Sequence, residues 1–391
     1  MTRPFARKAT GPRAGGGVGL TNRLPPLTRR HVVGLMAGPL LLGPGTAARA
    51  APSFSAAYSV LPISAALAAV PFPDGVTILV AGPDGGRLGE WGDAVAMALG
   101  GALPPGTKVN ATCTGGLDGV TGANQFEARV APDGATVLLV PGAAALDWLV
   151  GDTRAHFDAE HWVPIMAGVT PAIVMARPDV IPFAADRPIR IAASGPVGTQ
   201  LPAILGLELL GAQVVPVFDL VEPAAAGAAF VAGKADAVLA WGHNASQQVA
   251  ALQSAGGKPL FAFGGLDAGN LPFRDPAFPD VPALVELYVA RHGTKPTGAR
   301  YDAWRATAAA TQLEFGLVLP GLTSAAMVAL WRRAAGQAAV QPGVQHLADT
   351  LAVRPLEGVA AAAVMTGIAA DAAALLELRG WLATQFNWRP T

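Results

Sequence analysis

Cysteine is almost absent from this chain of 391 residues, in which Cys113 is the only one. An internal disulfide needs two thiols, and cysteine-rich zinc sites and iron–sulfur clusters need several, so the sequence excludes all three. Charged residues are also scarce at 14%, whereas hydrophobic residues make up 52%. This balance excludes wholesale disorder and predicts a large buried core.

Acidic residues are absent from the first 50 positions, which hold eight arginines and lysines. Subtracting these eight from the 27 basic side chains leaves 19 in residues 51–391, against 27 acidic side chains. The body of the chain is therefore acidic, with a net charge of −8. An acidic body without a basic stripe is poorly suited to a phosphate backbone, so we expect no nucleic-acid partner.

The first 50 residues have the pattern of a signal peptide. Arg29 and Arg30 precede a short apolar run, Val32–Leu42, which is too short to span a bilayer, and Ala48 and Ala50 flank a small-residue cleavage site. Adjacent arginines, a long basic start and modest hydrophobicity are typical of a twin-arginine signal. We therefore predict export to the periplasm as a soluble protein, with residues 1–50 as the signal peptide and residues 51–73 unplaced.

Beyond residue 74, short β-branched runs alternate with alanine-rich stretches, which predicts an α/β protein with mostly parallel sheets. The predicted strands form two sets of three: Val76–Ala81, Lys108–Thr112 and Thr136–Val140, then Ile189–Ala193, Val214–Phe218 and Asp236–Ala240. Each set is large enough to form a lobe with its own sheet flanked by helices.

Two further extended runs, Ile173–Ala176 and Phe315–Leu319, are predicted to cross between the lobes and to form a hinge. The expected limits follow from these crossings. Lobe 1 comprises residues 74–172 plus 318–391, and lobe 2 comprises residues 173–317.

The order of several motifs resembles the extracytoplasmic solute receptors of tripartite tricarboxylate transporters, the Bug or TctC-like family. The most specific match is Ala-Pro-Asp-Gly-Ala-Thr-Val-Leu-Leu at residues 131–139, against the family's A-x-P-D-G-x-T-L-L type of segment. Other matching stretches occur in the family's order at residues 80–86, 115–122, 161–165, 191–201, 278–283 and 315–323. The resemblance implies a two-lobed, periplasmic-binding-protein-like fold, a small carboxylate ligand and membrane permease subunits as partners.

Three departures from the family pattern accompany the resemblance. The family's V-P-Y-K-G is replaced by Val215–Asp219, which lacks the tyrosine, lysine and glycine. Arg87 and Leu88 stand where the family has small polar residues, and the stretch between Ala283 and Phe315 is longer than usual. The identity of the ligand is therefore left open.

Two glycine-containing loops precede predicted helices and form the candidate ligand site. A loop that opens a helix aims free backbone N–H groups and the positive end of the helix dipole at one place, where an anion can bind. Gly85 and Gly86 belong to such a loop in lobe 1, and Ser194, Gly198 and Thr199 to the equivalent loop in lobe 2. A carboxylate held between the two loops needs no buried arginine.

Side chains near these loops complete the predicted site. Arg87 offers a guanidinium that can form a bidentate pair with a ligand carboxylate. Trp241 and His243 follow a lobe 2 strand and can cover an apolar or aromatic part of the ligand. Gly142 and Ala143 follow the third strand of lobe 1, where the resemblance places a cleft loop.

Other motifs do not predict chemistry. Gly227–Lys234 has one residue too many for a phosphate loop and no hydroxyl after the lysine. His156 and His161 lie near Asp152, Asp158 and Glu160, but five residues apart, which is off the spacing that puts two ligands on one helix face. We therefore expect no metal, no other cofactor and no enzymatic activity, and we expect Cys113 to be a buried, inert thiol.

Three functions stay open on the sequence. The leading prediction is a monomeric periplasmic receptor that closes on a small organic acid and delivers it to a permease. An exported enzyme or cofactor carrier would also use the twin-arginine route, which serves proteins that fold before export. A receptor that reports its ligand to a signalling partner would need no transporter.

Overall fold

The computed structural model describes Phe72 and residues 75–180, 187–266 and 272–389. The predicted signal peptide (residues 1–50) and all of the unplaced segment except Phe72 lie outside the described residues.

Strands in the described ranges, numbered in chain order, form two main sheets and a short hairpin. The first sheet contains β1 (Val76–Val80), β2 (Val109–Cys113), β3 (Thr136–Val140), β4 (Val163–Val169), β12 (Leu313–Leu319) and β13 (Arg354–Glu357), in the spatial order β13-β4-β12-β3-β1-β2. The second contains β5 (Ala172–Ala176), β6 (Ile189–Ala192), β7 (Val214–Val217), β8 (Ala237–Trp241) and β9 (Lys258–Ala262), in the order β7-β6-β8-β5-β9. The hairpin pairs β10 (Gly265–Leu266) with β11 (Pro272–Phe273).

Helices flank both sheets. In the described part of the chain they are α1 (Arg87–Ala102), α2 (Val120–Arg129), α3 (Gly142–Val150), α4 (Leu201–Leu209), α5 (Pro223–Val231), α6 (Ala245–Ser254), α7 (Leu284–His292), α8 (Ala299–Gln312), α9 (Ala325–Ala339), α10 (Pro342–Thr350), α11 (Gly358–Ile368) and α12 (Ala372–Phe386). The α/β class and the two-lobed architecture predicted from the sequence are confirmed.

The pairing of the strands shows sheets in which most strands run in one direction, and the exceptions are β12 and β13 in the first sheet and β5 in the second. β1 pairs in parallel with β2 and β3, whereas β12 runs antiparallel to β3 and β4. In the second sheet, β6 is parallel to β7 and β8, whereas β5 is antiparallel to β8 and β9. The strands β5 and β12 run against their neighbours because each arrives from the other sheet. Each therefore starts at the edge where the neighbouring strands end.

This topology defines two edges that face each other. The strands β1 to β4 end at one edge of the first sheet, and β6 to β9 end at the edge of the second sheet where β5 begins. Only Thr170 and Pro171 separate the end of β4 from the start of β5. We call these two edges the facing edges, and the loops that leave them carry the candidate site.

The two crossings are hydrogen-bonded to each other. The Thr170 backbone N–H donates to the Gln312 carbonyl oxygen at 2.8 Å, and the buried Thr170 hydroxyl donates to the same oxygen at 3.3 Å. The Gln312 side-chain Nε2 donates to the Gly264 carbonyl oxygen at 2.9 Å, at the end of the second sheet. The chain between Ala283 and Phe315 therefore contributes to the hinge through the end of α8.

The helix α8 also connects helices of the two lobes. Arg300 donates to Glu208 of α4 at 3.0 Å and to Glu377 of α12 at 2.7 Å. The indole N–H of Trp381 donates to the same Glu208 carboxylate at 2.8 Å. Burial raises the pKa of Glu208, whereas Trp381 and Arg300 act in the opposite direction.

Of three apolar clusters among the described residues, one includes residues of both sheets. It includes Leu138 of β3, Val174 of β5, Ile191 of β6 and Trp304 of α8, none more than 3% exposed. Burial of this kind is the main stabilising contribution to folding. The lobe limits predicted from the sequence stay a prediction, and β12 forms ladder pairs within the first sheet from Leu313 onward.

Among the described helices, none is by itself long and apolar enough to cross a membrane, although α11 and α12, bent by 49° at the break between them, pass together on length and composition.

Gly142 provides a test of how the start of α3 packs against the end of α8. A Cβ added there would lie 2.0 Å from the Ala310 carbonyl oxygen, a backbone atom that cannot move aside. Gly142→Ala should therefore lower the free energy of unfolding by on the order of 2 kcal/mol, measured by urea denaturation. Gly101→Ala, also in a helix but with no atom within 4 Å of the new Cβ, is the control and should be neutral or slightly stabilising. Equal stability of the two variants would contradict this packing.

Candidate functional site

The first predicted loop leads from β1 into α1. Gly85 has a φ of +67°, in the left-handed region that glycine adopts without strain, and Gly86 is the N-cap of the helix. Gly86 has no side chain to accept from the first-turn N–H groups, which therefore point out of the helix at the facing edge. This is the arrangement predicted from the sequence for an anion-binding helix start.

Arg87, the first residue of α1, connects the two facing edges. Its Nε donates to the Glu314 carboxylate at the start of β12. Its Nη1 donates to Nδ1 of His243 at 2.9 Å, in the short 3₁₀ turn that follows β8. Because a guanidinium only donates, His243 accepts through an unprotonated Nδ1. Two residues predicted separately for the site are thus in direct contact, one from each lobe.

Arg87 still has donors to offer. A guanidinium carries five N–H groups, and Glu314 and His243 together occupy two of them. The Arg87 side chain is 45% exposed, whereas that of Glu314 is 9% exposed. Glu314 therefore holds the guanidinium in place from the buried side and leaves the other side open to a ligand.

The second predicted loop, residues 193–200, is closed by a side chain that sequence analysis missed. The buried Gln200 Oε1 accepts from the Ser194 hydroxyl at 2.9 Å and from the Ser194 backbone N–H at 3.2 Å. A Cβ at Gly198 would lie 2.1 Å from the Ser194 Oγ, so the loop needs a glycine there. The helix α4 begins at Leu201, directly after this loop.

The loop is also tied to the hinge helix. The Thr311 hydroxyl, near the end of α8, donates to the Thr199 carbonyl oxygen at 3.2 Å. The Thr199 carbonyl is therefore engaged by the protein itself, and the backbone N–H groups of the loop are the better candidates for ligand contacts.

The remaining predicted residues lie at the same edges in different roles. Trp241 ends β8, is half-buried, and packs against the shared core, and its carbonyl oxygen accepts from Gln248 at 3.1 Å. Gly142 is buried against the end of α8, whereas Ala143 is exposed at the start of α3. Gly142 thus acts in packing, and Ala143 is the member of this pair that a ligand can reach.

Glu314 was not predicted from the sequence, although one signal was present. It is the only charged residue in β12, whose other six residues are apolar or glycine. An unpaired carboxylate in such a strand would be costly to bury, so a basic partner is required. The partner, Arg87, is 227 positions away and could not be identified from local pattern.

Carboxylates surround the outer side of α1. A pocket of about 450 Å³ is lined by Asp84, Glu90 and Asp93 together with Cys113. The pKa of the Cys113 thiol is raised, first by burial and then by the charges of Asp84 and Asp93. The thiol is half-buried rather than buried as predicted, and its raised pKa keeps it protonated and unreactive.

The acidic and histidine residues considered as metal ligands form local contacts instead. Asp158 Oδ1 accepts from the Glu160 backbone N–H at 3.1 Å, and its Oδ2 lies 3.1 Å from Nδ1 of His161. No group of three or more His, Cys, Asp or Glu side chains is arranged to hold a metal ion in the part of the chain that the structure describes.

A third loop, after β2, is held by one arginine among three carboxylates. Arg154 donates to Asp118 at 2.7 Å and to Asp152 at 2.8 Å, and lies 3.7 Å from Asp147. The pKa of Asp147 is raised to about 6, mainly by burial and then by the charges of Asp118 and Asp152. The loop that carries Asp118 is therefore anchored at the facing edge of the first sheet.

Taken together, two mixed sheets joined by two crossings, with helix-start loops at their facing edges, define a two-lobed α/β fold. Comparison with solved structures agrees: the chain is similar to a TctC solute binding protein from Polaromonas, crystallised without ligand, at 19% identity and a TM-score of 0.60 over 81% of this chain and 100% of that one. The fold of the chain is therefore that of a TctC-type solute-binding protein.

More distant likenesses were also found. A Rhodopseudomonas palustris protein with adipate gives 16% identity and a TM-score of 0.46, covering 79% of this chain and 99% of that one. MatC from Rhodopseudomonas palustris with bound malate gives 19% identity and a TM-score of 0.44, covering 79% of this chain and 98% of that one. No protein-family model matches the chain, and no curated protein matches it either.

Asp147 gives the site a pH dependence that can be measured. Its raised pKa means that the folded state binds a proton more tightly than the unfolded state, so this group lowers stability as pH rises from about 4 through 6. Asp147→Asn should remove that slope and stabilise the protein relative to wild type at pH 8, by on the order of 1–3 kcal/mol. Urea unfolding at pH 5 and pH 8 measures both effects.

Asp349→Asn, at an exposed position of α10, is the matched control and should leave the slope unchanged. The account of Asp147 is wrong if both variants keep the wild-type pH dependence.

Proposed function

We propose that this protein is an extracytoplasmic solute receptor of the TctC type, which captures a small carboxylate between its two lobes and delivers it to membrane permease subunits without chemical change. The observation that carries the proposal is the position of Arg87. It lies at the start of α1 and is held between Glu314 of the first sheet and His243 of the second lobe.

The chemistry of this position suits a carboxylate. Three guanidinium N–H groups remain for a ligand, and the helix start adds backbone N–H groups and a favourable dipole. Hydrogen bonds to charged groups contribute about 1.5–3 kcal/mol each. Micromolar affinity corresponds to about 8 kcal/mol, so a few such bonds suffice after the cost of association.

The neighbouring charges limit how much negative charge the site can accept. Glu314 already balances the charge of Arg87, and Asp84 and Glu90 lie close to the same helix start. One ligand carboxylate directed at Arg87 is accommodated more readily than three, because like charges repel one another. A mono- or dicarboxylate is therefore the proposed ligand.

The location and the partners belong to the same proposal. The twin-arginine pattern at residues 29–30 supports export to the periplasm, where a receptor of this fold would meet its solute. The TctC-like fold supports transporter subunits as the partners. A monomeric receptor is the simplest arrangement for such delivery.

Ligand binding can be tested with a panel of small mono-, di- and tricarboxylates, by thermal shift followed by calorimetry. A true ligand at one hundred times its Kd should stabilise the protein by about 2.7 kcal/mol. Arg87→Lys keeps the positive charge beside Glu314 but loses the planar fork, so it should weaken binding about tenfold or more. Arg333→Lys, an exposed arginine of α9, is the matched control and should bind as wild type does.

Two outcomes count against the proposal. The first is a panel in which no carboxylate stabilises the protein. The second is a ligand whose affinity is the same in the Arg87→Lys and Arg333→Lys variants, because such a ligand would bind away from the facing edges.

A further inference from the structure

A second pocket lies at the hinge, away from Arg87. It has a volume of about 160 Å³ and is enclosed by α8, α11 and β13 on one side and by the end of β9 and the β10–β11 hairpin on the other. Val169, which ends β4, and Gln312, which ends α8, both line it, so the pocket touches both crossings. We call it the hinge pocket.

Apolar and aromatic side chains form most of its wall: Phe263, Phe273, Tyr301, Trp304, Leu356 and Val364. An apolar cavity of about 150 Å³ stays dry and takes up a benzene molecule. By size and lining, the hinge pocket therefore fits one six-membered ring with a small substituent.

Two arginines, Arg354 and Arg305, also line the pocket. Arg354 places its guanidinium 5.5 Å from the centre of the Phe273 ring, and within the described ranges its guanidinium has no hydrogen-bond or ion-pair partner. Desolvation by the surrounding protein lowers the pKa of Arg354, and the charge of Asp275 partly offsets this effect.

Arg305, the second arginine, is only partly satisfied. Its guanidinium lies 3.2 Å from Asp302, yet its buried Nε has no hydrogen-bond partner among the described residues. A buried donor without a partner is costly, by about 1–3 kcal/mol. Two guanidinium groups with donors to spare in the lining of one largely apolar pocket are suited to an anionic group.

We propose that the hinge pocket binds a monocyclic aromatic carboxylate, with the ring among Phe263, Phe273 and Trp304 and the carboxylate directed to Arg354. The ring would replace contacts that the empty pocket lacks, and the carboxylate would pair with a guanidinium that lacks an anion within ion-pair distance in the described chain. The site is separate from Arg87 and does not depend on the function proposed above.

Benzoate is the probe, measured by calorimetry on the whole protein, with benzyl alcohol and acetate as analogues that lack the charge or the ring. Benzoate should bind, and both analogues should bind at least tenfold more weakly. Arg354→Gln should weaken benzoate binding at least tenfold and leave benzyl alcohol unchanged. Ala360→Leu, at an exposed position of the pocket lining, should weaken both by filling the space, and it serves as a second variant if Arg354→Gln does not fold.

Arg333→Gln, at an exposed position of α9, is the control and should bind benzoate as the wild type does. Loss of benzoate binding in Arg87→Lys with retention in Arg354→Gln would place benzoate at the facing edges and overturn the hinge pocket proposal. Absence of benzoate binding to the wild type at millimolar concentration would overturn it as well. Failure of the carboxylate panel at Arg87, with benzoate bound at Arg354, would count against the proposed function alone.

Discussion

The contact of Arg87 with Glu314 and His243 is the interaction on which the rest of the site depends. It joins three parts of the chain that are far apart in sequence, and it brings the start of α1 to the end of β8. Glu314 is nearly buried and needs a cation beside it, so the same guanidinium stabilises the fold and faces the open side. Arg87 therefore stabilises the fold and is also the residue that we propose contacts the ligand.

A second set of contacts holds the lobes at the hinge and along the helices. The carbonyl of Gln312 joins the two crossings through Thr170, and Glu208 joins α4, α8 and α12 through Arg300 and Trp381. The contacts of Gln312 and Arg300 both come from α8, which lies between Ala283 and Phe315. The helix α8 therefore contacts elements of both lobes.

Much of the local structure could be predicted from the sequence. The strands β1, β3 and β6 lie within one residue of their predicted bounds, because β-branched runs and Gly/Pro turns are local signals. The direction of β12 relative to its neighbours β3 and β4 could not be predicted from local pattern, since β12 enters from the other lobe. Gly142 packs under the Ala310 carbonyl, and its contact with a ligand stays a prediction. Gln200 and Glu314 were missed because their partners are defined only by the folded chain.

The most direct test of the central claim is a double-mutant cycle between Arg87 and His243, measured as free energies of unfolding in urea without ligand. Wild type, Arg87→Gln, His243→Gln and the double variant give the coupling between the two side chains. Direct contact across the facing edges predicts a coupling of about 0.5–3 kcal/mol. Additive effects of the two substitutions would contradict the contact, and with it the account of how the two lobes form one site.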